Sequence, residues 1–298
     1  GAFSNDFFNL SYFGNTAFQG STANLSGFDF NLFQYQQIEG GIIFNQGRTG
    51  IGLSVLNGQQ HQSFSIPKGN VYIAPDGKTM EVDLLFKAQQ TDPQRSGYPY
   101  TNGVGASIDF FTTFNFGTLD TFQHKVLVEI RDLGFIRWNR HATEFSIDTN
   151  YRFEGFFIDN IFMLRDTVFD SNLSNNSLAA QANTSEKRYT TVLPAFFHIA
   201  EIYKINEDFS LMGGIKYRLM ANYNVYYYIR GMYQISPLFE VSPRIAYGGY
   251  GKLNTGISLR ALIKEYYTLT LGTENLEGFL LPAFTAGTSA FLTLHRRF

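Results

Sequence analysis

The charged side chains of this sequence keep to one side of its alternating segments, and their signs separate along the chain. Lys216, Arg218, Arg230, Arg244 and Arg260 fall on the polar side in the second half, joined by Lys264 and Arg297. Glu39, Asp109, Glu129 and Asp148 take the corresponding side in the first half, with Glu81, Asp83 and Glu154. Two kinds of chemistry follow. Opposite charges withdrawn from water must pair and hydrogen-bond, which would make a salt-bridge network across a filled interior. A basic wall left open would instead draw anionic or carboxylated solutes into a conduit. Catalysis has less to stand on. His61, His124, His141, His198 and His295 are never spaced i, i+2 or i, i+4, and HExxH, CxxC and GxSxG motifs are absent. A lipid hydrolase assembling Ser, His and Asn from separate strands stays as the least favoured alternative. His295, between Thr293 and Arg297 on the polar side, reads as a wall residue rather than a base. No catalytic, metal or cofactor site is expected.

The elements that position these charges are clearest from Phe209 to Phe298. Phe209, Leu211, Ile215 and Tyr217 alternate with Ser210, Lys216 and Arg218. Val225, Tyr227, Ile229 and Tyr233 then oppose Asn224, Tyr226, Tyr228 and Arg230, and Val241, Ile245 and Tyr247 oppose Ser242, Arg244 and Ala246. Leu253, Ile257, Leu259 and Ile263 face away from Asn254, Ser258 and Arg260. Strands of about ten residues, apolar and aromatic on one face and polar on the other, are those of a transmembrane antiparallel up-and-down β-barrel, with lipid outside and a polar lumen inside. A soluble antiparallel sheet packed on a dry core alternates in the same way. Strand length and the recurrence of Tyr and Phe near strand ends favour the barrel.

Earlier in the chain, Phe28, Phe30 and Leu32, then Ile38, Ile42 and Phe44, begin the alternation after an N-terminal segment, 1–21, that reads as a loop or short amphipathic piece. Asn45 to Gly50 is a turn, and VYIAPDGKTMEVDLLF a hairpin about Pro75 to Lys78. Long loops are expected at 89–103 and 155–188. The barrel would occupy 22–298 as one domain with about twelve to fourteen strands, fourteen favoured. Aromatic residues make up 17% and charged residues 16% of the 298, with 28 glycines, which suits many strands joined by tight turns. A mean hydropathy of −0.13 does not argue against a membrane, because a barrel hides its polar residues inside. With no cysteine, disulfides and thiolate metal sites are excluded, and a net charge of −2 gives no reason to expect nucleic acid. The opening residues carry no leader pattern, so N-terminal sequence is expected to be missing.

Several stretches together resemble an uncharacterised family of outer-membrane β-barrels from Bacteroidetes-type bacteria, broadly similar to long-chain-fatty-acid transporters. They are FFNLSYFGNTAFQG, VYIAPDGKTMEVDL, VLVEIRDLGFIRW with FEGFFIDNIF, LMGGIKYRLMANYNVYYYIRG, LTLGTENLEGF and the terminal FLTLHRRF. The resemblance implies a bacterial outer-membrane location, with membrane lipids and other outer-membrane or periplasmic proteins as partners. The expected role is non-enzymatic: a subunit of an outer-membrane complex for protein secretion, insertion or nutrient capture. The alternative is a stand-alone transport barrel or channel for small anionic or hydrophobic solutes.

Overall fold

A computed structural model describes residues 3–95, 97, 99–118, 121–153, 183–251, 253–263, 266–280 and 288–296. The chain is all-β and antiparallel, and among the described residues no helix is long and apolar enough to cross a membrane. Its strands are β1 (Ser21–Asn24), β2 (Phe28–Phe44), β3 (Thr49–Ile73), β4 (Met80–Gln90), β5 (Gly103–Thr118), β6 (Thr121–Trp138), β7 (Thr143–Phe153) and β8 (Asn183–Glu186). They continue as β9 (Thr190–Val192), β10 (Phe196–Lys204), β11 (Phe209–Arg218), β12 (Asn224–Ser236), β13 (Phe239–Gly249), β14 (Leu253–Ile263), β15 (Tyr267–Thr273) and β16 (Phe291–Arg296). Helix α1 (Asn5–Phe13) precedes them and α2 (Leu276–Leu280) lies between the last two. Sixteen described strands exceed the expected twelve to fourteen because β1, β8 and β9 have four residues or fewer, too short to leave a period in sequence.

The chain groups into two compact units. Unit 1 comprises Gly1–Ile38, Val55–Gly105 and Phe135–Thr191; unit 2 comprises Glu39–Ser54, Ala106–Gly134 and Val192–Phe298.

Unit 1 is built on an ordinary apolar core. The Ser4 hydroxyl accepts from the Phe7 amide at 3.0 Å and starts α1, while Asp6 takes the Asn24 amide at 2.9 Å and ties the helix to β1. Leu10 and Phe18 then pack on Ala23, Val71 and Ile73, together with Met80 and Val82 from β4. The hairpin of β3 and β4 closes with Ile73 opposite Met80, as the PDG turn predicts, and slips register between Ser65 and Lys68, around Pro67. β4 pairs in turn with β7, and β7 with β8. A second part of the core surrounds Trp138, which is 0% exposed and stacks on the His61 ring at 5.3 Å. Gly58 and Gly103 leave room for the indole, since a Cβ at either would lie within 3 Å of it. The indole N–H donates to Thr191 Oγ1 at 2.8 Å, and Tyr189 closes the group through its hydroxyl, 2.8 Å from His61 Nδ1.

The expected loop at 89–103 is shorter and less free than its composition suggests. A 3-10 turn occupies Pro93–Arg95, and the buried Asn102 amide donates to the carbonyls of Gln59 and Arg95 at 2.7 and 2.6 Å. The other expected loop, 155–188, lies outside the described residues up to 182; from 183 it forms β8.

Unit 2 is a sheet in the hydrogen-bonded order β2, β3, β5, β6, β10, β11, β12, β13, β14, β15, β16. Neighbours in that order are consecutive in sequence except where β4 and β7 to β9 intervene, and from β10 onward every strand pairs with the next. The hairpin of β2 and β3 turns through Gln46 and Gly47, both at positive φ, with Arg48 N donating to Asn45 O at 3.2 Å. Burial here runs opposite to unit 1. Ile229 and Ile245, cross-strand partners, are 60% and 62% exposed, and Val225, Tyr227, Leu259 and Leu292 share that outward face. The buried side carries Arg244, His198, Ser242 and Tyr228.

β3 and β6 show the two regimes in turn. Ile51, Leu53 and Val55 point outward with Gly52 and Ser54 buried, whereas beyond them Leu56, Ile66 and Val71 are the buried residues. In β6, Leu133 and Phe135 are exposed, then Ile136 and Trp138 are buried and Arg137 is exposed. The change of side falls just inside unit 1, whose segments begin at Val55 and Phe135.

Gly248 fixes the β12–β13 pairing where its register shifts. Its φ is +111°, and a Cβ there would collide with the Val225 carbonyl. Gly248→Ala is expected to lower the unfolding free energy by about 2–4 kcal/mol, read from denaturant midpoints in detergent micelles.

Candidate functional site

The polar face of unit 2 gathers most of the basic residues singled out in the sequence. β11 brings Lys216 and Arg218, β12 brings Arg230 and β13 brings Arg244. Antiparallel register places Arg230 directly opposite Arg244, a like-charged pair that strains a sheet unless something negative lies near. Arg244 is 5% exposed. Its Nη1 donates to Glu274 Oε1 at 2.7 Å and its Nη2 to the Glu274 carbonyl at 3.3 Å, while the guanidinium lies 5.8 Å from the Tyr226 ring. Gly256 lets the Glu274 segment approach closely, since a Cβ there would lie 2.7 Å from the Thr273 carbonyl oxygen. The buried Nε atoms of both Arg230 and Arg244 have no hydrogen-bond partner.

Lys216 and Arg218 satisfy themselves against aromatic faces. The ammonium lies 5.0 Å from the Tyr228 ring and the Arg218 guanidinium 5.2 Å from Phe196. A cavity of about 270 Å³ opens among these groups, lined by Lys216, Arg218, Arg244, Tyr223, Tyr226 and Glu274. They come from the end of β11, the start of β12, the middle of β13 and the segment after β15, so the cavity lies toward one end of the sheet. Burial holds the Tyr223 phenol above its ordinary value, with Arg218 opposing it.

α2 anchors the segment that supplies Glu274. Glu277 Oε2 accepts from the Thr255 amide at 2.8 Å and its hydroxyl at 2.6 Å. Burial works against the charged form of Glu277, but these bonds, with one from Asn275, keep its carboxyl below the usual carboxylate range. Ser289 and Asn254 brace Asn275 at 3.0 and 3.1 Å.

The acidic residues take separate places. Glu129 on β6 is engaged by Arg131 on its own strand, and its second oxygen lies 3.4 Å from His198 Nδ1; the other ring nitrogen of His198 meets the Tyr228 hydroxyl at 2.8 Å. Asp109 accepts from the Asp132 amide at 2.5 Å and, with Glu39, lines another cavity of about 300 Å³. Arg260 pairs at 3.5 Å with Glu240, its register partner across β13 and β14. Asp148 belongs to unit 1, where β7 buries Ile147 and exposes Asp148. Glu154, Lys264 and Arg297 lie outside the described residues. Among the described residues the ion pairs within unit 2 link near neighbours, and Lys216 and Arg218 have no carboxylate partner there.

Sequence pattern did not single out His198, Tyr228 or Glu274. The first two were detectable as polar-side residues on strands, but nothing marks a loop glutamate as the partner of a strand arginine. The rings of His61, His124 and His198 meet Tyr189, Glu201, and Glu129 with Tyr228, respectively. Phenols hydrogen-bond and orient such rings and are poor nucleophiles at neutral pH.

Among solved structures, a substituted porin of Rh. blastica is similar at 8% identity and a TM-score of 0.31, covering 90% of this chain and 91% of that one. A structure titled "Asymmetric conductivity of engineered proteins" is similar at 8% identity and a TM-score of 0.26, with 82% and 84% covered. No curated protein matches the chain. Residues 1–269 match a family of unknown function (DUF5723), and the chain belongs to that family.

Proposed function

We propose that this is an integral protein of a bacterial outer membrane, without enzymatic activity, whose unit 2 sheet faces lipid with its apolar side and solute with its basic side. One observation carries the reading: in unit 2 large apolar residues are exposed while arginine and histidine are buried, the reverse of a sheet folded in water. Unexplained apolar surface on this scale marks a membrane or partner contact. Unit 1 differs in carrying Ile136 and Trp138 inside and Arg137 outside. The basic interior favours a transport role for small anionic solutes.

The test is reconstitution. The full chain is expected to float with lipid vesicles after a urea wash and to support an anion-selective current in planar bilayers. Protein left in the urea-washed supernatant would contradict the membrane reading, and inserted protein with no current above background would contradict the conduit. A second reading, a subunit of an outer-membrane complex, is favoured by β2: Ile42 and Ile43 point to opposite faces of one strand, yet both are exposed. On that reading, gentle extraction from native membranes should yield a species heavier than the monomer by native mass spectrometry.

A further inference from the structure

We infer that the cavity among Lys216, Arg218, Arg244, Tyr223 and Tyr226 is a binding site for a small phosphate monoester whose organic part is flat and apolar. The inference rests on the solute-facing role proposed for unit 2 and names the class of solute.

Charge balance is the first ground. Lys216, Arg218 and Arg244 line the cavity with one carboxylate, Glu274, and Arg230 stands opposite Arg244 in register. The neighbouring acid, Glu129, is already held by Arg131 and His198. Four cations against one available carboxylate leave a local excess that a dianion neutralises better than a monocarboxylate does. Burial is the second. Arg244 is almost wholly enclosed, yet its Nε and that of Arg230 have no hydrogen-bond partner, and buried polar atoms left unpaired are costly and need a reason. Planar guanidinium forks match phosphate oxygens in pairs of parallel bonds, and the Lys216 ammonium adds a point charge.

Shape supplies the third ground. Phe196, Tyr223 and Tyr226 form an aromatic border to the same space, and about 270 Å³ holds a phosphate with a single ring attached. Since the cavity lies at the sheet end fixed by α2 and the Glu274 segment, a ligand would reach it from that end without crossing the sheet.

The test is calorimetric titration of the full chain in detergent, with inorganic phosphate, phenyl phosphate and phenol as probes. Phenyl phosphate is expected to bind about tenfold more tightly than inorganic phosphate, the increment of one aromatic contact, and phenol not to bind. Lys216→Met and Arg218→Met should each weaken phenyl phosphate by about tenfold or more, the worth of a charge-assisted hydrogen bond. Glu274→Gln should tighten it several-fold by removing the carboxylate that competes for Arg244, and a misfolded variant cannot gain affinity. Repeating the titration in nanodiscs with and without phosphatidic acid identifies the source. Unchanged affinity supports the free, flat monoester inferred; competition by the lipid would overturn the flat organic part and assign the site to a headgroup phosphate. Equal binding of phenol and phenyl phosphate, or an affinity unchanged in each of the single variants Lys216→Met and Glu274→Gln, would overturn it. Because detergent titration does not depend on insertion, a chain that floats with vesicles but binds no phosphate sinks the site alone. One that binds phosphate and stays in the supernatant sinks the membrane reading alone.

Discussion

Arginine at Ile229 or Ile245 is expected to cost about 2–4 kcal/mol in a bilayer, enough to cut the inserted fraction sharply. The two isoleucines face each other across β12 and β13 on the outward side. In a water-soluble sheet, exposed positions of this kind accept arginine within about 0.5 kcal/mol, because the guanidinium stays hydrated. In hydrocarbon the charge has no partner and must reach the interface along its own aliphatic stem. Wild type and the two variants, refolded into vesicles and assayed by flotation and urea midpoint, separate these cases. A midpoint unmoved in lipid would show that water, not acyl chain, covers this face.

Trp138→Ala is expected to cost about 3–5 kcal/mol for the opposite reason. This indole is enclosed by His61, Gly58 and Gly103 and donates to Thr191, so truncation leaves a cavity and frees a hydroxyl that had accepted its N–H. Trp138→Phe fills most of the volume and should cost less, isolating the hydrogen bond. Trp138 is the chain's single tryptophan, so wild-type emission should be blue-shifted and move red in one step on unfolding. The alanine variant is followed by circular dichroism, and a midpoint shift below 1 kcal/mol would contradict the core assigned to unit 1.

These two residues also show what alternation can and cannot convey. Ile229 and Ile147 both sit in clean period-two strands. The structure exposes the first and buries the second. Period two reports that the faces differ, not which is covered, because a strand's apolar side satisfies either lipid or a core. The informative signal was finer: in β6 the apolar parity switches from Leu133 and Phe135 to Ile136 and Trp138, a phase change visible in the residues themselves.

Strand existence in the second half was legible, because long regular strands leave a strong period. The short β1, β8 and β9 were not, and α1 depends on a Ser4 cap and on contacts with β1 that local composition does not announce. Of the site, the basic residues could be read from their parity. Their grouping could not, since Arg230 meets Arg244 through a register fixed by the bulge near Gly248, and Glu274 arrives from a loop.

The central claim, that unit 2 turns its apolar face to lipid and unit 1 does not, is tested most directly by single-cysteine spin labelling in reconstituted bilayers. The chain has no cysteine of its own, so each label reports one position. Labels at Val225, Tyr227, Ile229 and Leu259 should be accessible to oxygen and shielded from a water-soluble nickel reagent, while labels at Arg137 and Asp148 should show the reverse. Nickel access at the first set equal to that at the second would contradict the account.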